Sequence, residues 1–276
     1  MKEFTRPRAG ERTLDRAPLA ITGMAGRFDR IHAMSILFAV GLTAFLAIEP
    51  TQNWLLLLLS ILVGLGTDGV VRTHPRSRFQ RLDDTALFLF VPVLFTLALG
   101  LFLEEVAEGY WTLGAGLLAG VPFWGILNAE YLSVDRRAKS YQSARLVLNV
   151  ATYVIAFLFF ATIYDFELSL LATAFAAGTV SLLLAIEVLR EEAMDNSRTL
   201  LYAVAIGVLL AEAAWAMHFL PLEGSAAAVF LLLALYLMTG LMHNYLGDRL
   251  SLRTAGEFTA VTMAGLVIVV ASHASV

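Results

Sequence analysis

Long apolar runs separated by short polar segments dominate the sequence. A membrane hydrocarbon core of about 30 Å requires roughly 20 apolar residues in a helix. Nine runs approach or exceed that length, at residues 31–48, 53–71, 85–103, 110–128, 143–164, 167–188, 199–219, 224–246 and 256–272. They lack the alternation typical of a β-barrel, and lipid does not satisfy open backbone groups, so each run is predicted to be a transmembrane helix.

Composition supports this prediction. The chain of 276 residues is 59% hydrophobic and 15% charged, with a mean hydropathy of +0.75. Soluble domains are about half apolar and about a quarter charged. We therefore expect an all-α polytopic membrane protein, with a bundle of about nine transmembrane helices forming a single domain over residues 31–276. The expected partner is membrane lipid and not nucleic acid.

Two residue types exclude several classes of site. The chain has no cysteine, which excludes disulfides, thiolate metal sites and a cysteine nucleophile. The two lysines, Lys2 and Lys139, lie outside the apolar runs, so no lysine is placed to form a retinal Schiff base inside the bundle.

The basic residues predict the orientation of the bundle. In a nine-span topology all 19 Lys and Arg residues fall on one side of the membrane. Basic residues concentrate on the cytoplasmic side of membrane proteins. The N-terminus is therefore predicted to be cytoplasmic and the C-terminus outside, in a multi-pass protein of the cell (inner) membrane.

The segment before the first span, residues 1–30, is rich in arginine. Pro18, Gly23 and Gly26 interrupt any long amphipathic helix there. We expect a loosely ordered, basic cytoplasmic arm close to anionic lipid.

Acidic residues gather at the predicted cytoplasmic ends of the spans. Asp68 ends span two, Glu130 ends span four, and Glu187 and Glu191 end span six. Antiparallel helices bring these ends to one level, where oxygen ligands of this kind suit Mg²⁺. The alternative is that these acids and the neighbouring arginines neutralise one another and hold the loops at the headgroup level.

Polar residues also form two stripes at helical spacing. Tyr141, Arg145 and Asn149 recur every four residues on span five, and His243 and Asn244 lie on the polar face of span eight. The guanidinium group of Arg145 is suited to hold a phosphate or a carboxylate. These stripes predict either a ligand-binding cleft or hydrogen bonds between helices.

Glu212 is the acid that lies well inside a predicted span. Charged residues are costly in a membrane and often mark function. One interpretation is a coupling carboxylate that binds a proton or a cation. The other is a protonated side chain that hydrogen-bonds to a neighbouring helix or reaches the outer interface.

Span four contains a GxxxG motif, Gly116 and Gly120, followed by Pro122. Such motifs allow two helices to approach closely, and a proline kinks a helix. Pro92 is expected to bend span three in the same way. The glycine pair is a candidate contact for a membrane-protein partner.

The acidic segments that follow spans two and six resemble the aspartate-rich motifs of the UbiA-type intramembrane prenyltransferases. The second segment carries Glu187, Glu191 and Asp195 at four-residue spacing, while the first retains Asp68 but has Val71 where the family has an acid. The resemblance implies a nine-span bundle, Mg²⁺-diphosphate binding at these acids and transfer of an isoprenoid chain.

Four functions therefore stay open at this point. The first is a protein with a polar, cytoplasmic-facing cleft that binds a lipid-like or anionic small molecule, with catalysis undetermined. The others are a secondary transporter that couples through Glu212, a relative of the UbiA-type prenyltransferases with degenerate metal motifs, and a non-catalytic subunit of a membrane complex.

Overall fold

The computed structural model describes residues 17–48, 51–77, 82–107, 109–190, 196–220 and 224–274. Every regular element in these ranges is an α-helix. The helices are α1 Ala17–Ala47, α2 Asn53–Arg72, α3 Leu82–Val106, α4 Tyr110–Leu118, α5 Gly120–Ser133, α6 Tyr141–Asp165, α7 Leu170–Leu189, α8 Asn196–Met217, α9 Gly224–Leu246 and α10 Leu252–Ala274.

The prediction of about nine long apolar helices is confirmed for the part of the chain that the structure describes. Nine segments are long and apolar enough to cross a membrane, and α4 and α5 together make one of them, Tyr110–Ser133. The predicted boundaries agree with the helices within a few residues, except that the fourth span continues to Ser133 and the first helix begins well before residue 31.

The first helix begins earlier than the sequence predicts. It starts at Ala17 and continues through Gly23 and Gly26, where we expected a loosely ordered arm. Pro18 does not prevent this because it lies in the first turn, where its missing N–H has no helical partner to lose. Residues 1–16 of the expected arm lie outside the described ranges.

The fourth span is interrupted at a single residue of the GxxxG motif, Ala119, which keeps a right-handed helical conformation (φ −58°, ψ −24°). α4 ends at Leu118 and α5 begins at Gly120, two residues before Pro122. Pro122 has no N–H to donate to the carbonyl of Leu118, so one helical hydrogen bond is missing at this point. In contrast, α3 continues through Pro92 as one helix.

Both glycines of the motif pack against α1 of the same chain. A Cβ atom on Gly116 would lie 2.9 Å from the Cα of Thr43, and one on Gly120 would lie 3.0 Å from the Cβ of Ala39. The motif therefore serves close packing within the bundle. Contact with a partner protein stays a prediction, and this face is already covered by α1.

The core runs through the centre of the bundle along α6, which has the largest buried share of the spans. Its Leu148, Ile155 and Phe160 are fully buried, together with Phe123 of α5 and Leu184 of α7. At the other extreme, α10 packs on α9, and none of its residues between 252 and 269 is buried. Sites held by several helices are therefore to be sought around α6.

Successive spans alternate in direction, with α4 and α5 counted as one span, so their ends form two opposite surfaces. We call basic end the surface at which α2, α5, α7 and α9 end and α3, α6, α8 and α10 begin. This surface carries Arg72, Arg76, Arg136, Arg137, Arg145, Arg190, Arg198, Arg249 and Arg253.

Candidate functional site

A buried pair of opposite charges joins α6 to α7 at the basic end. Nη1 of Arg145 lies 2.8 Å from Oε1 of Glu187, and Nη2 of the same arginine donates to the backbone carbonyl of Glu187 at 3.1 Å. The Arg145 side chain is 4% exposed and that of Glu187 is fully enclosed. The guanidinium group that we expected to hold a ligand is thus engaged by Glu187.

Arg190 extends this pair to a second buried carboxylate. Its Nη2 lies 2.8 Å from Oε1 of Glu187 and 3.2 Å from Oε2 of Glu130. Its Nη1 donates to the carbonyl of Leu87 on α3 at 2.7 Å, and its guanidinium carbon lies 4.9 Å from the ring centre of Phe88. We call Glu130, Arg145, Glu187 and Arg190 the buried ion network.

The buried ion network connects four helices and is formally neutral. Two carboxylates face two guanidinium groups, and Ser133 donates to the carbonyl of Glu130 at 2.8 Å. Removing one member of a buried ion pair is costly because its partner is left uncompensated. The network is therefore expected to fix α3, α5, α6 and α7 relative to one another.

In each carboxylate of the network, one of the two oxygens takes no part in these contacts. Oε1 of Glu130 and Oε2 of Glu187 are buried and accept no hydrogen bond from any residue that the structure describes. Oδ1 of Asn149, one turn along α6 from Arg145, is also buried and also accepts no hydrogen bond from a described residue. Such groups are usually satisfied by water or by a bound donor.

A cleft of about 740 Å³ opens at the basic end, in the loops that follow α2 and α5. Its lining combines three arginines with one aspartate and three small or apolar residues. These residues are Pro75, Arg76, Ser77, Val134, Asp135, Arg136 and Arg137. We call this space the basic cleft.

Asp135 holds the two loops of the basic cleft together. It accepts a hydrogen bond from Nη1 of Arg76 across the cleft, and its Oδ1 accepts the backbone N–H of Arg137 at 3.1 Å. The bond from Arg76 lowers the pKa of Asp135 below its ordinary value. Arg136 reaches the buried ion network, since its Nη2 lies 3.5 Å from the carbonyl oxygen of Arg190.

The structure brings three of the predicted site residues together and separates the others. Glu130, Arg145 and Glu187 meet in the buried ion network. Asp68 instead pairs with Arg72 of its own helix at 2.7 Å and accepts a hydrogen bond from Thr85 of α3.

Only some residues of the predicted polar stripes form hydrogen bonds between helices in the described ranges. Tyr141 begins α6 and is partly exposed, while the hydroxyl of Tyr153, further along the same stripe, lies 3.0 Å from that of Thr239 on α9. On α9, His243 is partly buried and the amide of Asn244 donates to the carbonyl of Gly240 at 2.8 Å.

The Mg²⁺ hypothesis gains no geometric support from the described ranges. Within them, no three His, Asp or Glu side chains come close enough together to hold a metal ion. Glu191 and Asp195, on which the resemblance to the prenyltransferases depends, lie outside the described residues. The metal site therefore stays a prediction.

Glu212 lies on the outer surface of the bundle. Its side chain is exposed on α8, in a groove of about 410 Å³ that it shares with Ala174, Val208, Ala211 and Trp215. It is five residues from the end of α8 at Met217, or about 8 Å along the helix axis. The coupling role stays a prediction, now for a surface carboxylate near the end of α8 that lies opposite the basic end.

A family model described as a protein of unknown function, DUF5656, matches residues 33–272. The chain belongs to this family. Comparison with curated proteins and with solved structures gives no match. The family match covers nearly all of the nine spans together with the basic cleft and the buried ion network, and it carries no activity with it.

Sequence reasoning missed two features of this site. The spacing of Glu187 and Arg190 indicates a pair within one helix end, and the structure has that pair, but the additional contact of Arg190 with Glu130 across the bundle does not follow from the sequence. The basic cleft was not predicted, although the run Asp135, Arg136, Arg137 at a loop was visible. The charged run next to a turn indicated a polar surface. It did not indicate the contact between Asp135 and Arg76, because Arg76 lies 59 residues earlier in the chain.

Proposed function

We propose that this protein binds the anionic headgroup of a membrane lipid, or of a similar amphiphile, in the basic cleft. The observation that carries the proposal is the lining of the cleft, where three arginines face one aspartate around about 740 Å³. Guanidinium groups hold phosphate oxygens in a planar, two-point geometry. The proposal makes the protein a lipid-binding membrane protein and assigns it no reaction.

The charges of the basic cleft favour an anion. Asp135 neutralises Arg76, so the excess positive charge belongs to Arg136 and Arg137, both of which are exposed. Headgroup phosphates are available at this level because the cleft lies just beyond the ends of the spans at Arg72 and Ser133. The distribution of basic residues supports a cytoplasmic position for the cleft, where anionic lipids are attracted to basic groups.

The buried ion network gives the basic cleft a fixed base. It is formally neutral and enclosed, and Arg190 accepts the hydrogen bond from Arg136 through its carbonyl. In this proposal its arginines are internal supports, and the ligand contacts are made by the exposed arginines above them. The residues Asp68, Glu130, Tyr141, Arg145, Asn149, Glu187, His243 and Asn244 then act on binding through the position of the helices.

The test is an equilibrium titration of the detergent-solubilised protein with short-chain phosphatidylglycerol and with short-chain phosphatidylcholine. The double variant Arg136→Gln, Arg137→Gln removes the excess charge, and Arg198→Gln, Arg253→Gln removes equal charge from exposed positions of the same end. We expect the first pair to weaken phosphatidylglycerol binding about tenfold or more, equal to about 1.4 kcal/mol, and the second pair to leave it unchanged.

Two outcomes would contradict the proposal. One is equal affinity of the unmodified protein for the anionic and the zwitterionic lipid. The other is an equal loss in the two double variants, which would indicate general charge attraction. Glycerol phosphate alone, titrated in parallel, distinguishes recognition of the headgroup from recognition of the whole amphiphile. Binding at exposed arginines should also weaken as salt rises, because added ions screen the charges.

A further inference from the structure

A cavity of about 500 Å³ lies at the end of the bundle opposite the basic end. It is formed by the end of α1, the segment between α1 and α2, and the turn from α3 into α4. Its lining combines one carboxylate and three other polar side chains with small and apolar residues. The polar residues are Thr51, Glu104, Tyr110 and Thr112. We call this space the Glu104 cavity.

The surface around the Glu104 cavity is acidic. Over the part of the chain that the structure describes, this end of the bundle carries four acids and no lysine or arginine, all of which lie at the basic end. The acids are Glu104, Glu105, Asp165 and Glu167. A surface with charges of one sign attracts ligands of the opposite sign. The cavity therefore favours a cation, in contrast to the basic cleft.

The carboxylate of Glu104 is not neutralised by any described lysine or arginine. Its Oε1 accepts a hydrogen bond from the hydroxyl of Thr51, which ties the segment after α1 to the end of α3. The side chain is partly exposed and lines the cavity, so a ligand in the cavity reaches it directly. In this it differs from Glu130 and Glu187, which are fully enclosed and paired with arginines.

The two threonine hydroxyl groups of the cavity already use their protons within the protein. Thr51 donates to Glu104, and Thr112 donates to the backbone carbonyl of Ala107 at 3.4 Å. A hydroxyl that donates keeps its lone pairs as acceptors. The carboxylate and both threonines therefore present acceptors to a ligand, and a matching ligand carries N–H donors and a positive charge. A primary ammonium group has three such donors.

Exposed aromatic residues place the Glu104 cavity at the level of lipid headgroups. Tyr110 is 94% exposed and Trp111 is 83% exposed at the start of α4, and Trp54 is 57% exposed at the start of α2. Tyrosine and tryptophan gather at the interface between membrane and water. From the cavity, the exposed Leu113 and Leu117 continue along α4 into the apolar part of the span. A lipid with its headgroup in the cavity has an apolar surface for its chains.

We propose that the Glu104 cavity binds the primary ammonium headgroup of an aminophospholipid, phosphatidylethanolamine. Glu104 accepts one N–H group and supplies the opposite charge, while the oxygens of Thr51 and Thr112 accept the others. A charge-assisted hydrogen bond of this kind is stronger than a neutral one. The cavity of about 500 Å³ is large enough for the headgroup. The proposal is independent of the proposed function, because it concerns the other end of the bundle and a ligand group of opposite charge.

The experiment titrates the detergent-solubilised protein with short-chain phosphatidylethanolamine, its N-methyl and N,N-dimethyl derivatives, and phosphatidylcholine, and follows binding by native mass spectrometry. These four lipids share the phosphate, the glycerol and the chains, and each added methyl group removes one N–H donor. Glu104→Gln removes the charge and keeps the shape of the side chain. Glu105→Gln is the matched control, because Glu105 is the next residue and is exposed outside the lining.

The proposal predicts that affinity falls along this series, with phosphatidylethanolamine binding about tenfold more tightly than phosphatidylcholine. Glu104→Gln should lose this preference and Glu105→Gln should keep it. The double variant Arg136→Gln, Arg137→Gln should keep it as well, which separates this site from the basic cleft. Phosphoethanolamine without chains should bind more weakly than the lipid, and equal affinity would assign the cavity to a free amine and contradict the proposal.

Three further results would overturn the proposal. They are equal affinity of the unmodified protein for phosphatidylethanolamine and phosphatidylcholine, an equal loss of affinity in both glutamine variants, and an unchanged preference in Glu104→Gln. Thr112→Val decides the question if Glu104→Gln does not fold, because it replaces one acceptor by a methyl group of similar size and gives up only the long hydrogen bond to Ala107. It should weaken phosphatidylethanolamine about threefold and leave phosphatidylcholine unchanged, and equal binding of phosphatidylethanolamine by Thr112→Val and the unmodified protein would count against the site.

Discussion

Arg190 shows how a single side chain organises the basic end. One of its nitrogens serves Glu187 and Glu130, and the other binds the backbone of α3. A planar guanidinium group can do this because its donors point in fixed, different directions. A lysine at this position has a single charged nitrogen and would not reach both the two glutamates and the carbonyl of Leu87. We therefore expect this position to require arginine.

Replacing Glu187 by glutamine tests the buried ion network at the level of one residue. The change leaves Arg145 and Arg190 without their shared charge in a buried position, and such a loss typically costs about 3–5 kcal/mol. The matched control is Glu257→Gln, which removes an acid from the exposed pair with Arg253 and should cost about 1 kcal/mol or less.

The measurement is reversible unfolding of both variants in detergent, compared with the unmodified chain. A smaller decrease in the free energy of unfolding for Glu187→Gln than for Glu257→Gln would contradict the structural role of the buried ion network. Lipid binding by refolded Glu187→Gln should fall only as far as its folded population falls, because the side chain does not contact the ligand in our account.

At the scale of elements, α7 and α8 pack closely through two glycines, Gly178 and Gly207. A Cβ on Gly207 would lie 2.9 Å from the carbonyl oxygen of Gly178 and 2.8 Å from the Cβ of Leu182. Small residues permit this approach in membrane helices. Gly207→Ala is therefore expected to destabilise the protein by about 1–3 kcal/mol through overpacking.

The control is Gly125→Ala in α5, where an added Cβ meets no atom within 4 Å. It should leave the melting temperature unchanged or raise it slightly, because alanine favours the helix over glycine. Melting both variants by circular dichroism distinguishes them, and equal melting temperatures would show that the contact between α7 and α8 is looser than the structure has it.

The loop contact between Arg76 and Asp135 predicts a pH dependence. The pKa of Asp135 is lowered in the folded protein by the hydrogen bond from Arg76, so this contact stabilises the fold above the ordinary aspartate pKa of about 3.9. Its contribution is lost as the pH falls through the lower folded pKa. The melting temperatures of the unmodified chain and of Asp135→Asn should therefore differ at pH 6, and the difference should shrink as the pH falls below the ordinary aspartate pKa.

The same substitution has an opposite effect on the proposed ligand. Removing the negative charge of Asp135 leaves Arg76 without its partner in the basic cleft, so anionic lipid should bind Asp135→Asn more tightly at pH 7 despite the lower stability. A titration with short-chain phosphatidylglycerol measures this. Weaker binding would indicate that the shape given by the loop contact matters more than its charge.

The spans were predictable from the sequence because their length is set by the membrane, and length can be counted. Pro122 predicted a kink in the fourth span, but Pro92 carries the same signal in α3, which continues as one helix, so the proline alone does not decide where a helix is interrupted. The pairing of Arg145 with Glu187 was not predictable, because it depends on how α6 and α7 are rotated about their axes. Hydropathy leaves this rotation open, and 42 residues separate the two partners in the chain.

At the scale of the whole molecule, the distribution of basic residues predicts which surface faces the cytoplasm. The chain has no cysteine, so single cysteines can be labelled without background. We expect Ser251→Cys, in the loop before α10, to react with an impermeant maleimide only after the membrane is opened. His218→Cys, at the other end of the bundle, should react in intact cells, and the reverse pattern would invert the topology.

The most direct test of the central claim is the lipid that stays bound to the protein during purification from a membrane containing anionic and zwitterionic lipids. Native mass spectrometry should find anionic phospholipid on the unmodified chain and on Arg198→Gln, Arg253→Gln. It should be lost from Arg136→Gln, Arg137→Gln, whose fold is checked by melting. Anionic lipid retained equally by all three proteins, or by none, would contradict the assignment of the basic cleft as a headgroup site.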